Sequence, residues 1–412
     1  MMCRPRLERE ELSEVLVVAL RAGQLMLESG ANTARVEETI HHLGTGLGAG
    51  WLDIVVAPGS IIISAVSHGE HRTRVQRVVN SGIDLARMAA VIDLSRRAAA
   101  GQVDRAEAHA ELERIATRPR VYGAGLTLAA TTLSCACFAA LQGGGIRVMV
   151  ATMIAAAIAF EVRARLRRWH LGRLVGTSVT AAVGAGVALA VTWLLTAPGA
   201  SAAILSAVLL LLPGALMVSA INDLFRGDTT PGMARLVTAV LHIIAIGTGI
   251  WVVLLLTGAN LGPAPSRGPP YGLALGWSFL AAGGFAIAFD VPRHALLGAA
   301  LTGMLANGTR LLAIALGAPA EAAMFLGGIV VVLVPEVLAR RIKLPTSMFT
   351  IAGFIPLIPG TLAFRTVLAF VGRDYLTGTA EVAQVAVLTF ALAAGMGTVA
   401  ALARAREKPL WE

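Results

Sequence analysis

The sequence predicts a multi-pass α-helical membrane protein of about ten spans, arranged as a 5+5 inverted repeat, with an N-terminal cytosolic α+β domain. The first observation is composition: 56% of the 412 residues are hydrophobic and 14% are charged, whereas soluble domains average about 45–50% apolar residues. The mean hydropathy of +0.73 agrees with this. The second observation is a series of long apolar segments that starts near residue 121, and the third is a Pro-Gly phrase that occurs twice.

The cytosolic domain is predicted to cover residues 1–118. Its first apolar run, 12–29, is interrupted by charged residues, each costing about 2.5–3.5 kcal/mol at a bilayer centre, so we expect a soluble helix there. Asn32 is a predicted N-cap for a second helix over 33–43. β-Branched residues and turn residues predict the rest: strands at 54–57, 61–66 and 74–79, then helices at 84–100 and 104–117.

The membrane part is predicted to consist of a first block, 119–258, and a second block, 271–405, joined by a Gly/Pro-rich outer linker. Fourteen Lys and Arg residues fall in the predicted inner loops, and only Arg147, Arg267 and Arg373 fall in outer loops. This bias predicts that both termini lie in the cytoplasm. We expect the protein to lie in the cytoplasmic (inner) membrane. The ten predicted segments are 121–141, 146–160, 171–196, 201–222, 234–257, 271–289, 294–316, 320–338, 345–371 and 380–403.

The repeated phrase lies in the fourth segment of each block. Pro213-Gly214 is followed by Asp228 and Gly232, and Pro359-Gly360 is followed by Asp374 and Gly378 at the same offsets. Five spans is an odd number, so the second block must enter the membrane in the opposite sense. Inverted repeats that are each broken at a corresponding helix indicate a secondary transporter with a site near the midplane.

Three stretches of the cytosolic domain resemble a known family. They are Gly-Ala-Asn-Thr-Ala-Arg-Val-Glu at 30–37, the strand pair at 58–64, and Thr-Arg-Val-Gln-Arg-Val at 73–78. Together with the two Pro-Gly segments, they resemble the threonine/serine exporters over nearly the whole chain. The resemblance implies proton-driven export of threonine and serine through a ten-span membrane part, and it transfers no binding residue.

The predicted substrate site is built from the breaks and from polar residues within spans. Freed carbonyls and new helix ends at Pro213, Gly214, Pro359 and Gly360 could bind a substrate, and the alternative is a kink that only shapes packing. Arg365 lies five residues after the second break and could hold a carboxylate. Arg310, with Asn307 one turn before it, is a similar candidate. The alternative for both arginines is extension to the membrane interface.

Three ionisable residues are candidates for proton coupling. Asp223 ends the first broken span, and the residue at i+4, Gly227, offers it no basic partner. Glu336 is a second candidate, although its spacing to Arg340 also fits a surface ion pair. His242 is the third because the pKa of a histidine lies near neutrality, although a lone histidine is often structural.

The sequence also limits the function classes. No phosphate-binding G-x-x-x-x-G-K-[ST] loop occurs, so we expect an ion gradient as the driving force. We also expect no cofactor and no enzymatic activity. The net charge of +9 is explained by the inner loops, not by nucleic-acid binding. Three cysteines exclude a disulfide framework. The expected partners are a small amino acid, protons and the lipid bilayer. A homo-oligomer, a passive channel, and a membrane-anchored sensor or hydrolase that uses the histidines of the soluble domain remain open.

Overall fold

The structure is a computed structural model that describes residues 9–67, 70–79, 82–169, 171–225, 227–259, 261, 268–342, 344–358 and 360–404. The chain forms two compact units. The N-terminal unit comprises the described residues up to Val121 together with Asp223–Arg235 and Phe289–Arg293, and the helical unit comprises the remainder. The N-terminal unit therefore includes two short segments from later in the chain, which lie outside the residues 1–118 predicted for the cytosolic domain.

The described residues of the N-terminal unit up to Val121 form four helices and three strands. Their bounds are α1 Arg9–Glu28, α2 Thr33–Gly46, β1 Leu52–Ala57, β2 Ser60–Ser67, β3 Glu70–Arg77, α3 Leu85–Ala99 and α4 Arg105–Thr117. The predicted start of α2 is confirmed, since the Asn32 side chain accepts a hydrogen bond from the Arg35 amide at 3.0 Å. Asp84 and Asp104 cap α3 and α4 in the same way. Each cap satisfies an amide that the helix itself leaves without a partner.

The three strands form one antiparallel sheet in the order β1-β2-β3. Ile61 and Ile63 of β2 are fully buried, and β2 packs against α1. Gly23 of α1 allows this close packing, because a Cβ atom there would lie 2.6 Å from Cδ1 of Ile40 and 2.9 Å from Cδ1 of Ile61. Burying an Ile side chain contributes about 1.5–3 kcal/mol, so these residues form a stable core for the unit.

Asp290 belongs to the N-terminal unit although it comes from the segment between two later helices. Its buried carboxylate accepts hydrogen bonds from the Val121 amide, at 3.0 Å to Oδ1 and 3.1 Å to Oδ2. The Leu85 amide donates to the Phe289 carbonyl and the Ala86 amide to the Asp290 carbonyl, at 2.9 and 3.0 Å. The segment therefore satisfies two amides of the first turn of α3. Asp290 has a φ of 59°, a left-handed conformation that is uncommon outside glycine.

The remaining helices form two series of the same order. The first series is α5 Ala124–Leu141, α6 Ile146–Arg168, α7 Arg173–Leu194, α8 Ala200–Ala207, α9 Gly214–Phe225 and α10 Thr229–Thr257. The second is α11 Tyr271–Ala288, α12 Leu296–Ala315, α13 Ala320–Ile342, α14 Ser347–Gly353, α15 Gly360–Val371 and α16 Tyr375–Arg404. Short 3₁₀ turns occupy Leu209–Leu211, Arg293–Ala295 and Ile355–Leu357.

Seven helices among the described residues are long and apolar enough to cross a membrane, namely α5, α7, α10, α11, α12 with the turn before it, α13 and α16. Two shorter apolar stretches are Ala200–Leu211 and Ser347–Leu357. The chain is therefore a multi-pass helical membrane protein. The figure of ten spans stays a prediction, since the segments 201–222 and 345–371 are each two helices separated by a 3₁₀ turn.

The elements around the two breaks correspond at a constant offset along the chain. This offset equals the sequence separation between Pro213 and Pro359. Leu209–Leu211 corresponds to Ile355–Leu357, α9 to α15, and the start of α10 to the start of α16. The turns after α9 and α15 also match, with a left-handed residue at Gly227 (φ 86°) and at Arg373 (φ 60°). Their hydrogen bonds correspond as well: Gly227 to Leu224 and Asp228 to Asp223 in the first turn, Arg373 to Phe370 and Asp374 to Ala369 in the second. This is the usual pattern of a helix C-terminus.

Candidate functional site

The breaks in the two series have the same backbone geometry. Leu212 and Ile358, the residues before the two prolines, are extended, with ψ angles of 128° and 126°. A residue before proline is forced out of the helical region, so the Pro-Gly phrase accounts locally for each break. Helices α9 and α15 then begin at Gly214 and Gly360. Pro359 lies outside the described residues.

The two breaks lie against each other in the helical unit. A Cβ atom on Gly214 would lie 2.5 Å from Cδ1 of Ile358 and 3.4 Å from Cε2 of Phe354. A Cβ atom on Gly360 would lie 3.6 Å from Cδ1 of Leu212. Each new helix therefore starts beside the residues that precede the other break. The structure brings Gly214 and Gly360, two of the predicted site residues, into one region.

Arg163 of α6 lies at the first break, although its sequence position predicted only an inner loop. Its Nη1 atom is 3.5 Å from the carbonyl oxygen of Leu210, at the limit of a hydrogen bond. Leu210 belongs to the 3₁₀ turn, where the helical pattern of carbonyl bonding ends. A guanidinium beside such a carbonyl compensates part of the interrupted bonding.

Arg310 and Asn307, both predicted site residues, contact each other on α12. The Arg310 Nε atom donates to Asn307 Oδ1 at 2.8 Å, and Asn307 Nδ2 donates to Ser278 Oγ of α11 at 2.8 Å. Asn307 is buried, whereas Arg310 is half-buried. No carboxylate of the described residues forms an ion pair with Arg310. Its guanidinium is held instead by the neutral side-chain amide of Asn307. This guanidinium can accept an anionic ligand.

Arg365, the other predicted arginine, has a carboxylate partner. Its Nη2 atom lies 2.7 Å from Oε1 of Glu381, on the neighbouring helix α16. The Glu381 side chain is 7% exposed and the Arg365 side chain 57% exposed. Glu381 was not among the residues predicted from the sequence, because the pairing joins two different helices and no local spacing announces it.

Asp223 also forms an ion pair. Gly227 offers it no partner, but Arg235 of α10 donates from Nη1 to Asp223 Oδ2. Both side chains are buried, 1% exposed for Asp223 and 6% for Arg235. Separating such a pair leaves a buried charge, which costs about 3–5 kcal/mol. Asp223 is therefore held in the N-terminal unit together with a fixed cation.

The other two proton-coupling candidates have local partners. Glu336 lies 4.0 Å from Arg340, one turn later on α13, and Arg340 is exposed. Glu336 and Arg340 therefore form the surface ion pair that their i,i+4 spacing suggested. His242 is half-buried on α10, and its Nδ1 atom lies 2.8 Å from the Thr238 carbonyl oxygen.

The histidines of the N-terminal unit do not form a metal centre among the described residues. The His41 ring lies 6.4 Å from the His42 ring and 6.1 Å from the Trp51 ring, between centroids. Burial, and secondarily the charge of His42, lowers the pKa of His41. No group of three His, Cys, Asp or Glu side chains with metal-binding geometry occurs within the described part of the chain. His68 lies outside it.

Comparison with known proteins identifies related sequences. A family model described as a threonine/serine exporter matches residues 17–257, and a second model, "Threonine/Serine exporter", matches residues 274–402. The "Threonine/serine exporter" of Corynebacterium glutamicum is 23% identical over 98% of this chain and 85% of its own length. The "Probable threonine/serine exporter" of Mycobacterium tuberculosis is 27% identical over 94% of this chain and 75% of its own length.

A shorter relative has a different name. The "Probable succinate transporter subunit YjjP" of Escherichia coli is 26% identical over 61% of this chain and 97% of its own length. No solved structure matches the chain.

Proposed function

The chain belongs to the threonine/serine exporter family, a family of transporters, and on that premise we propose that it exports small amino acids of the threonine and serine type across the cytoplasmic membrane. The proton gradient drives this export. Both termini are cytoplasmic, and the ten spans form two five-span blocks of opposite orientation.

The observation that carries the proposal is the meeting of the two breaks. Gly214 approaches Ile358, and Gly360 approaches Leu212, within one helical unit. Broken helices that face each other expose backbone groups where a substrate can bind, away from continuous helical hydrogen bonding. Pro213, Gly214, Pro359 and Gly360 therefore form the backbone part of the proposed site.

The side-chain part of the proposed site contains two cations. Arg310, oriented by Asn307, provides a guanidinium with no acidic partner among the described residues. Arg365 lies on α15, about 7–8 Å along the helix from its start at Gly360. Arginine binds carboxylates through two parallel hydrogen bonds, and every amino-acid substrate carries a carboxylate.

The matched helix series support an alternating-access mechanism. The element order is the same in both series, and the elements around the two breaks are displaced by a constant distance along the chain, which supports a duplicated block. An odd number of spans per block requires opposite insertion. One block then rocks against the other, and the site at the breaks opens to one side at a time.

Proton coupling is assigned to Asp223, with Arg235 as its partner. Protonation of the carboxylate would remove one charge of a buried pair, which changes the free energy of the enclosing conformation. Glu336 and His242 are the next candidates. The absence of a phosphate-binding loop in the sequence is consistent with an ion gradient as the energy source.

Succinate transport is a second candidate function. It is favoured by the name of the Escherichia coli relative and by the two arginines, since a dicarboxylate presents two anionic groups. The word "subunit" in that name suggests an assembly of several chains, so the proposal includes a homo-oligomer.

Counterflow in proteoliposomes tests the function. Purified full-length protein should exchange labelled threonine or serine for unlabelled substrate, and an imposed pH gradient should drive accumulation. Flux that ignores the pH gradient would indicate a passive channel. No movement of amino acids, with turnover of a solute by the soluble domain, would favour the sensor or hydrolase. Exchange of succinate alone would favour the second candidate.

A further inference from the structure

We propose that Arg365 and Glu381 together recognise the charged head group of an amino acid, with Arg365 binding the carboxylate and Glu381 binding the ammonium group. This inference rests on the proposed amino-acid transport and assigns its specificity to Glu381. The paired side chains thus select substrates that carry both charges.

The geometry leaves half of the Glu381 carboxylate without a partner. Oε1 receives the Arg365 guanidinium at 2.7 Å, whereas Oε2 is buried and accepts no hydrogen bond from the described residues. A buried charged acceptor without a donor is energetically unfavourable. An ammonium group carries three donors and a positive charge, so it satisfies this oxygen better than a neutral donor does.

Arg365 and Glu381 differ in solvent accessibility, so a substrate would reach Arg365 first. Arg365 is 57% exposed, while Glu381 is 7% exposed. A substrate carboxylate can therefore reach the guanidinium without first displacing Glu381. Once the carboxylate is bound, its α-ammonium group is separated from it by a single carbon and can approach the buried carboxylate beside Arg365.

A comparison of the two helix series supports a role beyond packing. Arg235 of α10 and Glu381 of α16 occupy corresponding positions, each six residues after the start of its helix, and both are buried. Each pairs with an opposite charge on the helix that follows the break, Asp223 in the first series and Arg365 in the second. In the first pair both side chains are enclosed, whereas in the second the cation is open. Only the open pair can admit a ligand.

The arrangement predicts discrimination by charge. An amino acid places its positive group at Glu381 and keeps the site electrically balanced. A carboxylate that lacks the amino group leaves Glu381 as before, and a dicarboxylate brings a second negative charge toward it, which costs free energy at short distance. Glu381 therefore favours amino acids over succinate and over hydroxy acids.

The experiment compares threonine with 3-hydroxybutyrate, which is threonine without its amino group. Both are used as competitors of labelled threonine counterflow in proteoliposomes that contain the full-length protein. We expect wild type to prefer threonine strongly. Glu381→Gln should reduce the ratio of threonine to 3-hydroxybutyrate affinity at least tenfold, which corresponds to about 1.4 kcal/mol. Arg365→Gln should weaken both ligands.

Matched variants separate recognition from folding. Glu161→Gln removes an exposed carboxylate that pairs with Arg165 at i+4, and it should leave the ratio unchanged. Glu381→Asp keeps the negative charge on a shorter side chain, so it should retain the preference for threonine with lower affinity. If Glu381→Gln does not fold, Glu381→Asp still tests the inference, because an affinity for threonine equal to that of wild type would overturn recognition by Glu381.

The outcomes are distinct. A purely structural ion pair predicts that Glu381→Gln weakens threonine and 3-hydroxybutyrate equally, and an unchanged ratio would overturn the inference. If wild type exchanges neither threonine nor serine, the proposed function itself fails, irrespective of Glu381. A wild-type preference for succinate over threonine would also overturn the assignment of Glu381 as an ammonium site.

Discussion

Arg235 donates a hydrogen bond to the carboxylate of Asp223, twelve residues earlier, and both side chains are buried. If Asp223 carries the proton, Asp223→Asn should abolish accumulation driven by a pH gradient. Exchange of labelled for unlabelled substrate should persist, because exchange does not require the proton to be released. Both activities are measured in the same vesicles.

The control for this prediction is the double variant Asp223→Asn with Arg235→Gln, which removes the unpaired buried charge as well. We expect it to recover most of the about 3–5 kcal/mol of stability that the single change loses, without recovering accumulation. Normal accumulation by Asp223→Asn would exclude Asp223 as the carrier, and Glu336 and His242 would be tested next.

The glycines at the two breaks should differ in tolerance. Gly214→Ala places a Cβ atom 2.5 Å from Cδ1 of Ile358, whereas at Gly360 the nearest atoms lie 3.6 Å away. We therefore expect Gly214→Ala to reduce transport and to cost about 1–3 kcal/mol of stability, and Gly360→Ala to have little effect on either. Exchange rate and thermal unfolding in detergent measure the two effects.

A second change sharpens this comparison. Ile358→Val removes the Cδ1 atom, so it should restore transport to Gly214→Ala. The larger substitutions Gly214→Leu and Gly360→Leu should both block flux while leaving folded protein in the membrane. Near-normal transport by both leucine variants would show that the Pro-Gly phrase only shapes helix packing and does not line the transport path.

The opposed orientation of the two blocks predicts different accessibility for Asp228 and Asp374. Single cysteines at these positions are introduced into a background that lacks Cys3, Cys135 and Cys137. A membrane-impermeant thiol reagent, added to intact cells, should label one position and spare the other. Labelling of both from the same side would contradict the inverted repeat.

The turns after α9 and α15 predict that glycine is the favoured residue at both left-handed positions. Arg373 and Gly227 share a left-handed conformation, which costs a non-glycine residue about 1–2 kcal/mol. Arg373→Gly should therefore raise the thermal stability of the purified protein slightly, by up to about 1 kcal/mol, and Gly227→Ala should lower it by a similar amount. Shifts of the same sign in both variants would show that the matched geometry does not control stability.

Local signals account for the features that were predicted correctly from the sequence. Asn32 caps α2 because a side chain can reach an amide three residues later, and Pro213 breaks the helix because it constrains Leu212 directly. The contact between Arg310 and Asn307 was also predictable, since residues three apart lie on one helix face.

Tertiary contacts account for what the sequence did not reveal. Asp223 meets Arg235 across a turn, and Arg365 meets Glu381 across two helices, at separations of twelve and sixteen residues that no helical periodicity marks. The assignment of Phe289–Arg293 to the N-terminal unit is of the same kind, because nothing in that short segment predicts a partner as distant in the chain as Val121.

The hydrogen bonds of Phe289 and Asp290 have a consequence for dividing this polypeptide. A fragment that ended in the linker between α10 and α11 would contain α3 but not the two carbonyls that complete its first turn, nor the carboxylate that binds the Val121 amide. Such a fragment would fold incompletely on its own. Coexpression with the remaining fragment would supply the missing acceptors, so the halves would complement each other as separate gene products.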